Sequence, residues 1–311
     1  MPWIYIGMSP LKAAYVWTTT VRGIYIGTTK VRPPLPYLCF TANTTGSTIK
    51  LKKVWSPTSV NFETSTDGST WATYTFWNTI TLSSVGSKVF WRNKSTTTTS
   101  LNGSWWSDYY RFEMTGSISW SGDVNYMLNK NSTTTLTAYC YSGLFLNCTS
   151  LVISPELPAT TLANYCYRNM FDSTGIVEAP KLPATTLKSG CYNVMFNKCY
   201  SLVKAPVLSA TSLANDCYAN MFQNCTNLDT LPKLPATTLP SNCYFAMFTG
   251  CSKIKLSTTQ TWDYQTAYRI PTTWSASAQS NSLNYMFNNT WGTLTWTPSI
   301  NTTYYTSNTL V

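Results

Sequence analysis

Apolar and polar positions in the second half of the chain repeat with a period of about 26 residues. The pair Cys-Tyr begins at positions 140, 166, 191, 217 and 243, in steps of 26, 25, 26 and 26. Each pair is followed by an apolar residue and Phe, as in Met170-Phe171, and three pairs are preceded by Leu-Pro-Ala-Thr-Thr-Leu. Five matching copies predict a repeat architecture in which neighbouring units bury one continuous core.

The spacing within each copy predicts a helix followed by a short strand. Thr161 is a suitable N-cap, and the apolar positions after it lie at i, i+4, i+5, i+8 and i+9 from Leu162, which is a helical stripe. One helix and one strand in about 26 residues fit a leucine-rich-repeat solenoid, with its strands in a narrow parallel sheet. The helical phase would turn these positions outward: Arg168, Asn169, Asn193, Ala219, Asn220 and Phe245.

The first half of the chain predicts β-structure. Three short copies, residues 4–12, 14–22 and 24–32, each read as a β-hairpin ending in a cation. Farther on, Val60, Phe62 and Thr64 alternate before the turn Asp67-Gly68, and strands at 79–82 and 88–92 flank another turn. Frequent short strands suggest an immunoglobulin-like β-sandwich.

The expected fold class is therefore mixed β and α/β. The predicted domains are a β-hairpin attachment segment at 1–36, an immunoglobulin-like β domain at 37–112, the leucine-rich-repeat solenoid at 113–257, and a divergent C-terminal cap at 258–311.

Charge and composition narrow the possible partners. The chain of 311 residues carries 21 Lys and Arg against 11 Asp and Glu, a formal charge of +10, yet only 10% of its residues are charged. The cations are scattered, with the densest group at Lys50, Lys52 and Lys53, so isolated solubilising charges are preferred to a nucleic-acid patch. No apolar run reaches the about 18 residues that span a bilayer, and we expect no membrane insertion.

Little in the sequence predicts catalysis. The chain has no His, which removes the commonest general base, and its acids form no dense motif. A polysaccharide-cleaving enzyme using Asp108 with Glu113 or Asp123 stays open as an alternative. Nine of the ten cysteines belong to the repeat, where buried reduced thiols are preferred to disulfide bridges. We expect no enzyme activity, no cofactor and no metal.

Two stretches carry a family resemblance. Across residues 112–256, the recurring Leu-Pro-Ala-Thr-Thr-Leu and Cys-Tyr-x-x-Met-Phe-x-x-Cys resemble BspA-like leucine-rich-repeat proteins of bacterial surfaces and of phages of gut bacteria. Near the start, Tyr-Ile-Gly-Thr-Thr-Lys-Val-Arg resembles the N-termini of tailed-phage virion proteins. The second resemblance implies that attachment to the particle involves Tyr5, Gly7, Tyr25, Gly27, Lys30 and Arg32.

These features together predict a phage virion protein. The N-terminus lacks the pattern of a secretory signal peptide, as is usual for proteins released by lysis. We expect a tail-fibre, head-fibre or capsid-decoration component that contacts other virion proteins through its N-terminus and binds a glycan or protein of the host surface. A homo-oligomer such as a trimer stays open. The alternative is a bacterial cell-surface adhesin whose signal peptide is missing from this sequence.

Aromatic residues with polar neighbours are the candidate binding positions, because such side chains commonly recognise carbohydrates and surfaces. The alternative is that they fill the junction with the repeats and cover the end of the array. The candidates are Trp105, Trp106, Tyr109, Tyr110, Trp262, Tyr264 and Trp274.

Overall fold

The part of the chain that the structure describes is nearly all β-structure and turns. The computed structural model describes residues 37–54, 60–95, 97–102, 109–129, 134–229, 231–232, 234–254 and 281–290, with strand segments at 5–6, 9–10, 24–26 and 29–31. Strand makes up 25% of the structure and helix 2%. The predicted mixed β and α/β fold with a leucine-rich-repeat solenoid is therefore wrong.

Thirteen strands and one short 3₁₀-helix are present in the described residues. β1 to β4 form two antiparallel pairs that match the first and third predicted hairpins, and the second copy lies outside the described residues. The strands are β1 Tyr5–Ile6, β2 Ser9–Pro10, β3 Ile24–Ile26, β4 Thr29–Val31, β5 Leu38–Ala42, β6 Ser47–Val54, β7 Phe62–Ser65, β8 Ala72–Thr73, β9 Ile80–Leu82, β10 Lys88–Asn93, β11 Tyr109–Thr115, β12 Ile118–Ser121 and β13 Leu151–Ile153, and the 3₁₀-helix is Val124–Met127.

Two sheets enclose an aromatic core. One has the order β13-β12-β5-β10-β7-β8 and the other the order β11-β6-β9. β10 alternates exposed or half-buried with buried residues, and its Trp91 packs edge-on against Phe112 of the other sheet at 5.3 Å between ring centroids. β7 and β8 pair across the Asp67-Gly68 turn, whereas β9 and β10, expected to flank one turn, lie in different sheets.

The immunoglobulin-like sandwich was also a wrong prediction. The larger sheet continues through β12, beyond the predicted end of that domain at residue 112, into β13. Ile118 of β12 is in register with Leu151 of β13, in a parallel pair. Because β13 belongs to the repeat region, the sheet does not close as a separate sandwich before the repeats begin.

Each repeat contains a ten-residue segment built from overlapping turns, which we call a rung. Amide groups at its even positions donate to the carbonyl three residues earlier, as from Leu144 to Tyr141 at 3.2 Å. Its first, fifth and ninth residues have positive φ, for example 56° at Tyr139, 63° at Gly143 and 65° at Asn147. The rungs are residues 139–148, 165–174, 190–199, 216–225, 242–251 and 281–290.

Hydrogen bonds between rungs explain why no helix forms. Amide groups at odd positions donate to the next rung, as from Tyr141 to Cys166 at 2.8 Å and from Phe145 to Met170 at 3.0 Å. An α-helix would need those donors internally, and a left-handed residue every four positions interrupts it. Two positions that helical phase would expose, Asn169 and Ala219, are accordingly buried.

Parallel columns of aromatic rings run through the stacked rungs. Successive Phe rings lie 5.3–5.7 Å apart and within 6° of parallel, in one column from Phe112 to Phe287. A second column joins Tyr141 to Tyr244 with spacings of 5.7–5.9 Å. Ring pairs of this kind add about 0.5–1.5 kcal/mol each to the effect of burial.

The cysteines line the same core. All ten are buried free thiols. The second cysteine of a rung donates its S–H to the carbonyl of the Phe in the preceding rung, as from Cys225 to Phe196 at 3.0 Å. Thr174 replaces that cysteine in the second rung and donates to Phe171 at 2.8 Å instead. Thr174 therefore makes its hydrogen bond within its own rung, whereas the cysteines make theirs between rungs.

The single 25-residue step has a local cause at Gly175. A Cβ atom at this position would lie 2.1 Å from the carbonyl oxygen of Thr149 in the previous repeat. Only glycine allows two backbones to approach so closely. This close passage lets the second repeat omit one residue while the rungs stay in register.

The β-sheets cover the first rung directly. The Phe112 amide donates to the Leu144 carbonyl at 2.9 Å, and its ring stacks on Phe145 at 5.3 Å. One hydrophobic cluster extends without a break from Leu38 to Phe287. No helix among the described residues is long and apolar enough to cross a membrane.

Candidate functional site

The outer surface of the three-stranded sheet is the candidate site, and we call it the basic face. Side chains alternate on its strands, so that Ile49, Leu51, Tyr110 and Phe112 are fully buried. The opposite set points away from that core and carries most of the sheet's charge. The basic face consists of Lys50, Lys52, Trp77, Tyr109, Arg111 and Glu113.

Strand register places two cations directly opposite each other. Arg111 of β11 is paired with Lys52 of β6, and Glu113 is paired with Lys50. Glu113 forms ion pairs with Lys50 at 2.9 Å and with Lys52. Like charges opposite each other on a sheet are destabilising, so three cations around one carboxylate are more than folding requires.

Arg111 lies between the sheet and the first rung. The carbon atom of its guanidinium group is 4.5 Å from the centroid of the Tyr109 ring. Its Nε is buried and has no hydrogen-bond partner. A buried donor without a partner costs about 1–3 kcal/mol, and a ligand oxygen removes that cost when the half-buried Arg111 side chain turns its Nε toward the groove.

A groove of about 360 Å³ runs alongside Arg111. On the sheet it is lined by Thr48, Lys50 and Glu113, and on the first rung by Leu146 and Asn147. This volume is near the lower end of the about 300–1,000 Å³ typical of small-ligand sites. The groove therefore offers hydroxyl, amide, cationic and carboxylate groups beside the apolar side chain of Leu146.

Glu113 is the one carboxylate on the basic face, and it is held ionised. Burial alone would raise its pKa, but hydrogen bonds and charge from Lys52 and Lys50 outweigh burial, so the pKa lies below its ordinary value. Near neutral pH the basic face therefore carries one carboxylate anion against the three cations Lys50, Lys52 and Arg111, and its net charge is positive.

Trp77 is an exposed aromatic residue in a strained conformation. Its side chain is 52% exposed, its φ is 73°, and the ring centroid lies 5.4 Å from Lys52 Nζ. Its amide donates to the Leu51 carbonyl at 3.2 Å. Bulky residues rarely adopt positive φ, and such outliers concentrate at functional positions.

The structure places the predicted binding aromatics unevenly. Tyr109 lies on the basic face, whereas Tyr110 is 0% exposed and packs edge-on against Phe62 at 5.8 Å, where no external ligand reaches it. Trp105, Trp106, Trp262, Tyr264 and Trp274 lie outside the described residues.

The predicted attachment residues are described only in part. Tyr5, Tyr25 and Lys30 lie in β1, β3 and β4, and Gly7, Gly27 and Arg32 lie outside the described residues. No group of three or more metal-ligating His, Cys, Asp or Glu side chains occurs in the part of the chain that the structure describes.

Sequence reasoning missed Trp77, Arg111 and Glu113 as partners of the lysines. The signal was the alternation of Lys50 and Lys52 with Ile49 and Leu51, which predicts a charged sheet face. The cross-strand register that adds Arg111 was not visible from the sequence. Comparisons with protein families, curated proteins and solved structures found no match for this chain.

Proposed function

We propose that this chain is a phage virion structural protein that binds the bacterial host surface. In this role it is a tail-fibre, head-fibre or capsid-decoration component, held to other virion proteins by its N-terminal segment. The observation that carries the proposal is a rigid stack of rungs, joined to a charged and aromatic sheet face, that presents the same side chains at regular intervals.

The repeats support this role by presenting uniform exposed columns. Thr160, Thr185, Thr211 and Thr237 are all exposed at equivalent positions. The neighbouring column is held in register by a parallel bridge between Thr186 and Ser212. A polar, weakly charged surface on a rigid frame suits repeated weak contacts, whose combined strength exceeds that of each contact.

Several carboxylates serve structural roles, which favours binding over hydrolysis. Glu63 accepts two hydrogen bonds from Arg92 at 2.8–2.9 Å. Asp123 caps the 3₁₀-helix by accepting from the Asn125 amide at 2.8 Å. Asp172 accepts from Asn169 and Asn197 at 3.0 and 3.1 Å.

The proposal predicts that the purified full-length chain blocks infection at its first step. Fluorescently labelled protein should bind host cells saturably, and excess unlabelled protein should reduce adsorption of the phage that encodes it. Binding to no host strain, with the protein folded, would contradict a receptor-binding role. Antibody labelling of purified particles separates this proposal from the adhesin alternative, which places the protein on cells.

A further inference from the structure

We propose that the basic face binds an acidic glycan, with Arg111 pairing to a sugar carboxylate in the groove beside the first rung. This inference rests on the proposed host-surface function and names the chemistry that the basic face would recognise. It begins from a cation arrangement that costs the fold stability and from a guanidinium donor that the fold leaves without a partner.

Arg111 has the geometry for a carboxylate. A guanidinium group presents parallel N–H donors that match the two oxygens of a carboxylate. The Tyr109 ring packs against one side of the guanidinium group, at 4.5 Å. The Nε of Arg111 has no hydrogen-bond partner. Lys50 and Glu113 border the same groove as an ion pair at 2.9 Å, so Arg111 supplies the positive charge there that no carboxylate neutralises.

Aromatic residues of the basic face suit the apolar faces of sugar rings. Trp77 is 52% exposed and lies beside Lys52, and Tyr109 lies beside Arg111. Threonine hydroxyls at Thr48 and Thr79 line the groove and can exchange hydrogen bonds with sugar hydroxyls. An acidic polysaccharide offers both features in every repeat unit, which a simple anion does not.

Glu113 argues for a sugar polymer over a nucleic acid. Its carboxylate ties up Lys50 and Lys52 on one side, which leaves Arg111 as the main unpaired cation. A nucleic acid, with a phosphate at every nucleotide, is bound by rows of unpaired cations. A polymer whose carboxylates are farther apart than the phosphates of a nucleic acid needs fewer unpaired cations.

The test measures binding of full-length protein to polygalacturonate, dextran sulfate, neutral dextran and single-stranded DNA. We expect tightest binding to polygalacturonate, weakened by salt. Arg111→Gln should reduce that affinity by about tenfold to a hundredfold, and Arg111→Lys should fall between, because lysine keeps the charge without the paired donors. Trp77→Ala, at an exposed position, provides a second variant if Arg111→Gln does not fold.

Lys188→Gln is the matched control, since it removes one exposed positive charge from the repeats and should leave affinity unchanged. The inference is overturned if neutral dextran or DNA binds as tightly as polygalacturonate, if dextran sulfate binds more tightly, or if both Arg111→Gln and Trp77→Ala bind normally. Host-cell binding that survives these results would leave the proposed function standing without this site. Binding to polygalacturonate without binding to host cells would support this glycan site and contradict the proposed function.

Discussion

Left-handed residues are the feature that defines each rung at the residue scale. They occupy the first, fifth and ninth positions, and most of them are Asn, Asp or Gly, the residues that adopt this conformation at least cost. Val194 is the exception with the greatest strain, at φ 59°, because a β-branched side chain crowds the backbone there. The equivalent residues in the neighbouring rungs are Asn169 and Asn220.

Val194→Asn should stabilise the protein by about 1 kcal/mol, because it relieves left-handed strain without adding glycine's flexibility. The reverse change at the same column, Asn220→Val, should destabilise it by a similar amount. Urea denaturation of both variants measures the two effects. Equal stability of Asn220→Val and the parent chain would show that the column carries no strain.

The residue pattern also shows where sequence reasoning succeeded and failed. Apolar spacing identified the period and the buried residues, such as Tyr167 and Phe171, which the core confirms. The same spacing suited a helix, so the secondary structure was wrong. The missed signal was Asn or Gly recurring every four positions, as at Gly143 and Asn147, which a stable helix avoids.

Stacking between rungs is the main source of order at the element scale. Each rung is an irregular series of turns in which about half of the amide groups donate to the neighbouring rung. An isolated rung would lose those hydrogen bonds and would be unstable. Phe196 shows the packing clearly, because its ring lies between Phe171 at 5.7 Å and Phe222 at 5.6 Å. Sequence patterns placed these residues in a core but could not give their parallel arrangement, which depends on the turn geometry.

Phe196→Ala should lower the free energy of unfolding by about 3–5 kcal/mol, since it leaves a cavity between two stacked rings. The control is Tyr200→Ala in the same repeat, where the side chain is 52% exposed, and we expect a change within about 0.5 kcal/mol. Thermal or urea unfolding distinguishes them. Similar losses in both variants would refute the column as a source of stability.

Buried thiols make the whole molecule sensitive to alkali. Burial raises the pKa of Cys166, Cys199, Cys217 and Cys251 to about 12, from an ordinary value of 9.0. The other rung thiols shift in the same direction. The unfolded chain therefore ionises its thiols near pH 9 while the folded chain keeps them protonated.

The free energy of unfolding should keep its full value below pH 9 and should fall as the pH rises above 9. Each thiol ionised only in the unfolded chain costs about 1.4 kcal/mol per pH unit, and nine such thiols would together exceed a typical domain's about 5–15 kcal/mol within one or two units. We expect the protein to unfold by about pH 10–11. Circular dichroism, measured in the presence of a reductant, would detect this unfolding. Undiminished stability at pH 11, or rapid thiol labelling of the native protein at pH 8, would contradict buried protonated thiols.

The backbone hydrogen bonds between rungs all run in one direction, from the amides of one rung to the carbonyls of the next. Each interior rung therefore offers the same two surfaces, and neither end of the stack depends on how many rungs separate them. Recombination between the gene segments that encode the near-identical Leu-Pro-Ala-Thr-Thr-Leu sequences would add or remove whole repeats, and each would change the length of the stack by one spacing between rungs. The distance between the β-sheets and the final rung can therefore vary during evolution by whole numbers of repeats, while the sheets and the final rung themselves stay unchanged.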